Sequence, residues 1–233
     1  MDIPLKGKKG WKLYRLGVLL SGRGSNFESI LNAIKSGYIK NAEIVVVLSN
    51  KADARGLEKA KESGIDAFFI NPNGLQREEY DKKLVSLLKG YSVDYVILAG
   101  YMRILSDYFI ESFENKILNI HPALLPSFKG LHAQRQALEA GVRFAGATVH
   151  FVTKELDSGP IIVQSVVPVF DADTEGSLSN RILKTEHKIY PLAVKLLSED
   201  RIKLKGNRVM IEGDFLDADF FALNPIGGGK DGV

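Results

Sequence analysis

Short apolar runs of strand length alternate with amphipathic stretches of helix length, several times in succession, and few folds accept that rhythm. Residues 16–20 form the first run, followed by Ser21-Gly22-Arg23-Gly24-Ser25-Asn26 and then by Phe27, Ile30, Leu31 and Ile34 at helical spacing. Residues 44–48 form a second run with a polar stop at Ser49 and Asn50, and residues 54–63 make a helix closed by Gly64. A short strand at 67–70, an amphipathic helix at 78–89 and a fourth strand at 94–99 continue the series. Alternation of this kind implies an α/β fold: a largely parallel twisted sheet with helices on both faces and right-handed crossovers. In such sheets ligands sit beyond the C-terminal ends of the strands.

The second half changes character. A strand at 117–120 leads into a Pro-bounded loop and a helix from about 132 to 139, and two longer strands at 145–153 and 160–169 read as antiparallel additions. Residues 177–197 form a long helix expected to break at Pro191, and residues 201–211 form a hairpin turning at Lys205-Gly206-Asn207. The expected division is a basic leader at 1–12, one domain over 13–200, a terminal hairpin over 201–213 and a mobile Gly-rich tail over 214–233.

With 233 residues, 31 Lys+Arg against 28 Asp+Glu and no cysteine, the chain is globular in composition and has no thiolate chemistry available. A net charge of only +3 gives no electrostatic basis for nucleic-acid binding. No apolar run reaches the roughly 18 residues of a spanning helix, so a membrane partner is not expected and a cytoplasmic location is.

Two clusters carry chemistry. The first is the 21–26 loop between strand and helix, where backbone N–H groups at a helix N-terminus face an incoming anion. The dinucleotide fingerprint needs a third glycine where Phe27 stands, and the second strand ends in Ser49-Asn50 without an acid for a ribose, so NAD is disfavoured. A monophosphate cradle at Gly24, Ser25 and Asn26 remains, as does a plain tight turn in which Ser25 or Asn26 caps the helix.

The second cluster is Asn119-Ile-His121-Pro at the end of the fifth strand, where alternation puts Asn119 and His121 on one face of the sheet. An amide can donate to a developing oxyanion, and an imidazole can donate or shuttle a proton, the more so with a carboxylate beside it. Asp157, in the turn Glu-Leu-Asp-Ser-Gly-Pro, is the candidate carboxylate. Each residue also has a purely structural use: Asn119 as a satisfied strand-end amide, His121 bonded to backbone, Asp157 as a turn former. His132 and His150 are spaced from His121 in no compact zinc pattern, so no metal is expected, and His187 reads as structural.

The 21–26 loop, Gly-Tyr-Met-Arg-Ile-Leu at 100–105, Asn-Ile-His-Pro-Ala-Leu-Leu-Pro at 119–126, the segments 130–138 and 146–160, and Glu-His-Lys-Ile-Tyr-Pro at 186–191 occur here in an order that resembles the phosphoribosylglycinamide formyltransferase family. The similarity runs from about residue 13 to residue 197. It implies a Rossmann-like formyltransferase domain that moves the formyl group of 10-formyltetrahydrofolate, a co-substrate, onto the amine of glycinamide ribonucleotide in purine biosynthesis. It implies that Gly24, Ser25 and Asn26 hold the phosphate, that Glu186 holds the ribose hydroxyls, and that Asn119, His121 and Asp157 are catalytic. The folate slot is implied at Leu98, Met102, Arg103, Ile104, Leu105 and Val152 and in the 154–157 loop with Lys154 and Glu155, with Arg77 near the folate's glutamate carboxylate. A monomer or weak homodimer fits that family.

The expected reaction is acyl transfer between two bound molecules, with Asn119 and His121 stabilising a tetrahedral oxyanion while Asp157 keeps His121 charged and oriented. The alternatives are a formyltetrahydrofolate hydrolase, another formyltransferase such as one acting on a methionyl-tRNA, and a non-catalytic phosphoribosyl-binding module that uses the glycine loop alone.

Overall fold

The computed structural model describes residues 12–212; the expected leader (1–11 of it) and the expected tail lie outside the described residues. Among the described residues, nine strands and six helices follow one another in the order β1 (Tyr14–Leu20), α1 (Ser25–Lys35), β2 (Ala42–Ser49), α2 (Arg55–Glu62), β3 (Asp66–Phe69), α3 (Arg77–Gly90), β4 (Tyr95–Leu98), α4 (Asp107–Ser112), β5 (Ile117–His121), α5 (Ala133–Glu139), β6 (Phe144–Phe151), β7 (Ile161–Pro168), α6 (Glu175–Ser198), β8 (Ile202–Lys205) and β9 (Arg208–Ile211). Seven strands form one sheet in the order β3-β2-β1-β4-β5-β6-β7. The pairings from β3 through β5 are parallel, while β6 and β7 add antiparallel, as the sequence pattern predicts.

Strand alternation sorts the apolar residues onto two faces. Leu16, Val18 and Leu20 of β1 join Ile97, Leu118 and Ile120 in a core beneath α1 and α6, with Phe27, Ile30, Ile182, Ile189 and Tyr190. Leu19, Val96, Leu98 and Ile117 point the other way, into a second core under α3 and α4 with Tyr80, Leu84, Leu88 and Phe109. The chain therefore leaves β1 toward β2 and β3 on one side and returns to β4 on the other, so the strand order switches between β1 and β4, the place where sheets of this kind bind ligands. Ser21 ties the ends of these strands together: its N–H donates to Gly100 O (3.0 Å), its hydroxyl donates to Asn50 Oδ1 (2.6 Å) and accepts from the Met102 N–H (2.8 Å).

Two local readings change. The long helix runs unbroken from Glu175 to Ser198 through Pro191. Proline removes one backbone donor, but Tyr190, Pro191, Leu192 and Ala193 are all buried, and that packing holds the helix together. A short helix, α4, occupies residues 107–112, where no element was anticipated; Ser106 caps it by accepting from the Phe109 N–H at 3.3 Å. The terminal hairpin is present, with Lys205 paired to Arg208 across Gly206-Asn207.

Candidate active site

The 21–26 loop ends at Gly24, which stands in the left-handed region at φ 71° as the N-cap of α1 with no side chain capping the helix. A Cβ at Gly24 would lie 2.8 Å from the Gly56 backbone, so both the φ and the approach of α2 require glycine here. Ser25 and Asn26 are the first helical residues and do not cap it, so the capping alternative for this loop is not what the chain adopts. An uncapped N-terminus of an eleven-residue helix, at the C-terminal end of β1, is the arrangement that a phosphate monoester neutralises.

Asn26 turns inward. Its Nδ2 donates to Glu186 Oε2 of α6 at 2.7 Å, while its Oδ1 is buried with no partner among the described residues. Burial pushes the Glu186 carboxyl up from its ordinary range, and the Asn26 amide opposes that shift. The loop and α6 thus bring together a helix N-terminus, a buried carboxylate and an unsatisfied amide oxygen on one side of the sheet.

Asn119 and His121 lie on the other side. They share the face of β5 opposite Leu118 and Ile120, and antiparallel pairing with β6 sets His150 against Asn119 and Thr148 against His121. Asn119 Nδ2 is 3.2 Å from His150 Nε2, and His150 Nδ1 is 2.9 Å from the Phe151 carbonyl. A carbonyl can only accept, so Nδ1 carries the proton and Nε2 accepts from the Asn119 amide. Burial pushes the His150 pKa below its ordinary value, which keeps that neutral form.

His121 is buried, with Nε2 2.9 Å from the Phe128 carbonyl and Nδ1 3.5 Å from Asp157 Oδ2. Both neighbours are acceptors, so each ring nitrogen faces an oxygen to which it can donate. Asp157 stands in the left-handed region at φ 48°, which aspartate tolerates, and its Oδ2 also accepts from the Gly130 N–H at 2.9 Å. Its Oδ1 is 3.8 Å from His150 Nε2. The turn can lie this close to β6 because residue 159 is glycine: a Cβ there would sit 1.9 Å from the Phe151 carbonyl oxygen.

Behind His121, Thr148 donates to the Ala123 carbonyl (2.7 Å) and accepts from the Leu125 N–H (3.1 Å) and from Gln164 Nε2 (2.9 Å). The loop that leaves β5 is therefore fastened to β6 and β7. His150 and Thr148 were missed as site residues; the signal was the alternation Ala-Thr-Val-His-Phe, which sets both polar side chains opposite the core face. Among the described residues no group of three His, Asp or Glu side chains is arranged to hold a metal ion, and His132 faces Glu175 (3.8 Å) instead of His121.

The expected folate residues cluster around the ends of β4 and β6. Leu98 and Leu105 are buried, Val152 is half-buried, and Met102 and Ile104 expose 68% and 62% of their surface on a loop whose backbone is fixed at both ends. Two large apolar side chains held out to water on a fixed loop are what an apolar ligand would cover. Arg103 stacks over the Tyr80 ring at 4.7 Å. Lys154 pairs with Glu111 and Asp107 of α4 (3.6 Å to Asp107), while Glu155 is exposed and 3.8 Å from Lys129. Arg77 is the exposed first residue of α3. A cavity of about 520 Å³ lies between the Asp157 turn and the terminal hairpin; Asp157 and Glu155 line it with Leu125, Lys129, Ile161 and Arg208, while Asn119 and His121 do not.

A family model described as formyl transferase matches residues 14–194. The chain belongs to the formyl transferase family. Within it, the phosphoribosylglycinamide formyltransferase of Escherichia coli (strain K12) is 44% identical over 208 residues, covering 89% of this chain and 98% of that one. The structure of glycinamide ribonucleotide transformylase 1 from Symbiobacterium toebii superposes with a TM-score of 0.84 at 49% identity, over 86% of this chain and 95% of that one. A formyltetrahydrofolate deformylase from Pseudomonas syringae superposes at 0.80 with 27% identity, over 87% of this chain and 67% of that one. The sheet order and antiparallel extension described above are thus those of a formyl transferase domain.

Proposed function

We propose that this formyl transferase moves the formyl group of 10-formyltetrahydrofolate to the amine of glycinamide ribonucleotide. The observation that carries the reading is the meeting, at the strand ends, of two half-sites built on opposite faces of the sheet. The α1 N-terminus and Glu186 suit a phosphoribosyl group; Met102, Ile104 and Leu105 suit a pterin. Asn119 and His121 stand on the pterin side of the sheet, Asn119 in register with Leu98. β1 and β5 are separated by one strand, so their axes lie about 10 Å apart across the sheet; the phosphate cradle follows the end of one and Asn119 lies near the end of the other.

Holding amine and formyl carbon in register supplies roughly 7–11 kcal/mol of the barrier reduction. As the amine attacks, the carbonyl oxygen becomes an oxyanion. One N–H of the Asn119 amide is given to His150, which leaves the other for that oxygen, a contact worth about 3–4 kcal/mol. His121 is the second donor. Its Nε2 proton rests on the Phe128 carbonyl before substrate arrives, so stabilising the intermediate is an exchange of one acceptor for another. Asp157 balances the charge of the imidazolium through Nδ1. Collapse breaks the bond to the folate nitrogen, which takes up the proton that the attacking amine gives up as it becomes the new amide.

Product analysis tests the reading. Purified protein mixed with both substrates is expected to consume 10-formyltetrahydrofolate and yield formylated glycinamide ribonucleotide in equal amounts. Formate release that does not depend on the ribonucleotide would instead identify a hydrolase. Phosphate-ligand binding with no folate use would identify a binding module.

A further inference from the structure

Asp81 is a charged residue on the core face of α3, 2% exposed, in a helix whose other core-facing side chains are Tyr80, Leu84, Val85 and Leu88. A buried carboxylate with no task is costly. Its Oδ2 accepts from the backbone N–H of Ser106 at 2.6 Å, and Ser106 is both the end of the 99–106 loop and the cap of α4. The same loop is fastened at its start by Ser21, through Gly100 O and the Met102 N–H, and in its middle by Arg103 over the Tyr80 ring. Between these fixed points it holds out Met102 and Ile104.

We infer that Asp81 is a positioning residue for the folate co-substrate, holding the loop between β4 and α4 by its far end so that Met102 and Ile104 are presented ready to be covered. The inference rests on the proposed function, because it takes those two side chains as part of the folate slot. The physical reason for a carboxylate at 81 is bond strength: a charged acceptor on a backbone N–H is roughly twice as strong as a neutral one. The groups that face it are Arg77 and Tyr80 on its own helix, Tyr101 and Arg103 on the loop, and Ser106 at the start of α4. Burial pushes the Asp81 carboxyl up from its ordinary range, against the opposing pull of Ser106 and Arg103.

Stability and ligand binding consequently move in opposite directions. A carboxyl whose pKa is raised by folding costs stability once it ionises, and the cost is absent at acid pH, where it is protonated in both states. Asp81→Asn removes that cost and keeps a neutral acceptor, so its melting temperature at neutral pH is expected to equal or exceed that of the wild type. Its KM for 10-formyltetrahydrofolate is expected to rise about fivefold, and that of Asp81→Ala about tenfold or more, with the KM for glycinamide ribonucleotide unchanged. The dissociation constant for tetrahydrofolate, which has no formyl group to lose, should weaken in the wild type as pH falls through the Asp81 titration and stay flat in Asp81→Asn. Wild-type turnover with folate KM and pH dependence unaltered in both variants would overturn the inference alone. A wild type that neither binds nor uses folate would remove the proposed function and this inference with it.

Discussion

The Asn119 amide nitrogen lies 3.2 Å from His150 Nε2, and because His150 Nδ1 donates to the Phe151 carbonyl, the imidazole can only accept there. The amide is thereby held one way round, with an N–H toward the cleft where its oxygen would repel an oxyanion. His150→Ala is expected to lower kcat about five- to tenfold by releasing the amide, while His150→Gln, whose side-chain oxygen can accept, should retain more of the rate. Steady-state kinetics on the two variants checks this order.

The same histidine gives a signed pH effect. Burial holds the His150 pKa below its ordinary value, so between about pH 6.5 and that lower value the unfolded chain binds a proton that the folded one refuses. Stability from this group is complete above that window and falls as pH descends through it. His150→Gln should show a flatter dependence of unfolding midpoint on pH over this range, measured by denaturant titration at successive pH values.

Asn119→Ala and His121→Ala are each expected to lower kcat about 10²–10³-fold, the scale of a lost oxyanion donor. Asp157→Asn is expected to lower it comparably, because an amide gives the His121 ring no charge to balance. Folate and ribonucleotide binding by equilibrium dialysis should be nearly unchanged in all three. Near-normal rates in all three would remove the proposed chemistry.

Much of the frame was legible because hydrophobic period and turn residues are local properties. Leu16 to Leu20 and Ile44 to Leu48 read as buried strands, and Asn119 and His121 share a face simply because they are two residues apart. What was not legible depends on remote partners or on packing. Nothing near Asn26 says that its amide bonds Glu186, 160 positions away. Pro191 carries a local instruction to break a helix, and the burial of its neighbours overrides it. Six residues of α4 were too few for a period to emerge, leaving the Ser106 cap as the one sign. The spacing of His150 from the other histidines says nothing of its partner, an asparagine on the adjacent strand.

Glu186 of α6 accepts from the Asn26 amide at the first turn of α1, and its charge is expensive where it stands, since burial raises its pKa. Glu186→Gln keeps a partner for Asn26 and removes the charge, so the unfolding temperature should not fall at neutral pH. The KM for glycinamide ribonucleotide should rise about tenfold, as a charge-assisted bond to a hydroxyl becomes neutral, with the folate KM unchanged. Asn26→Ala does the reverse to the fold: it leaves the buried carboxylate without its donor, and should lower stability by roughly 1–3 kcal/mol.

Tyr190 provides a test of how finely the strand ends are set. Its ring is fully buried in α6, and its hydroxyl reaches the carbonyl oxygens of Leu98 and Leu118, each at 3.0 Å. Leu98 ends the strand that leads into the 99–106 loop, and Leu118 immediately precedes Asn119, so one O–H is shared between that strand and the strand that carries the amide. Tyr190→Phe removes that oxygen and nothing else, and leaves the apolar packing of the ring intact. Loss of a single buried hydrogen bond costs about 1 kcal/mol, which should lower the unfolding temperature by a few degrees in a chain of this size. If the shared hydroxyl also sets the separation of β4 and β5, kcat should fall severalfold while both KM values stay near wild type. A variant that loses stability but keeps its full kcat would restrict Tyr190 to the core.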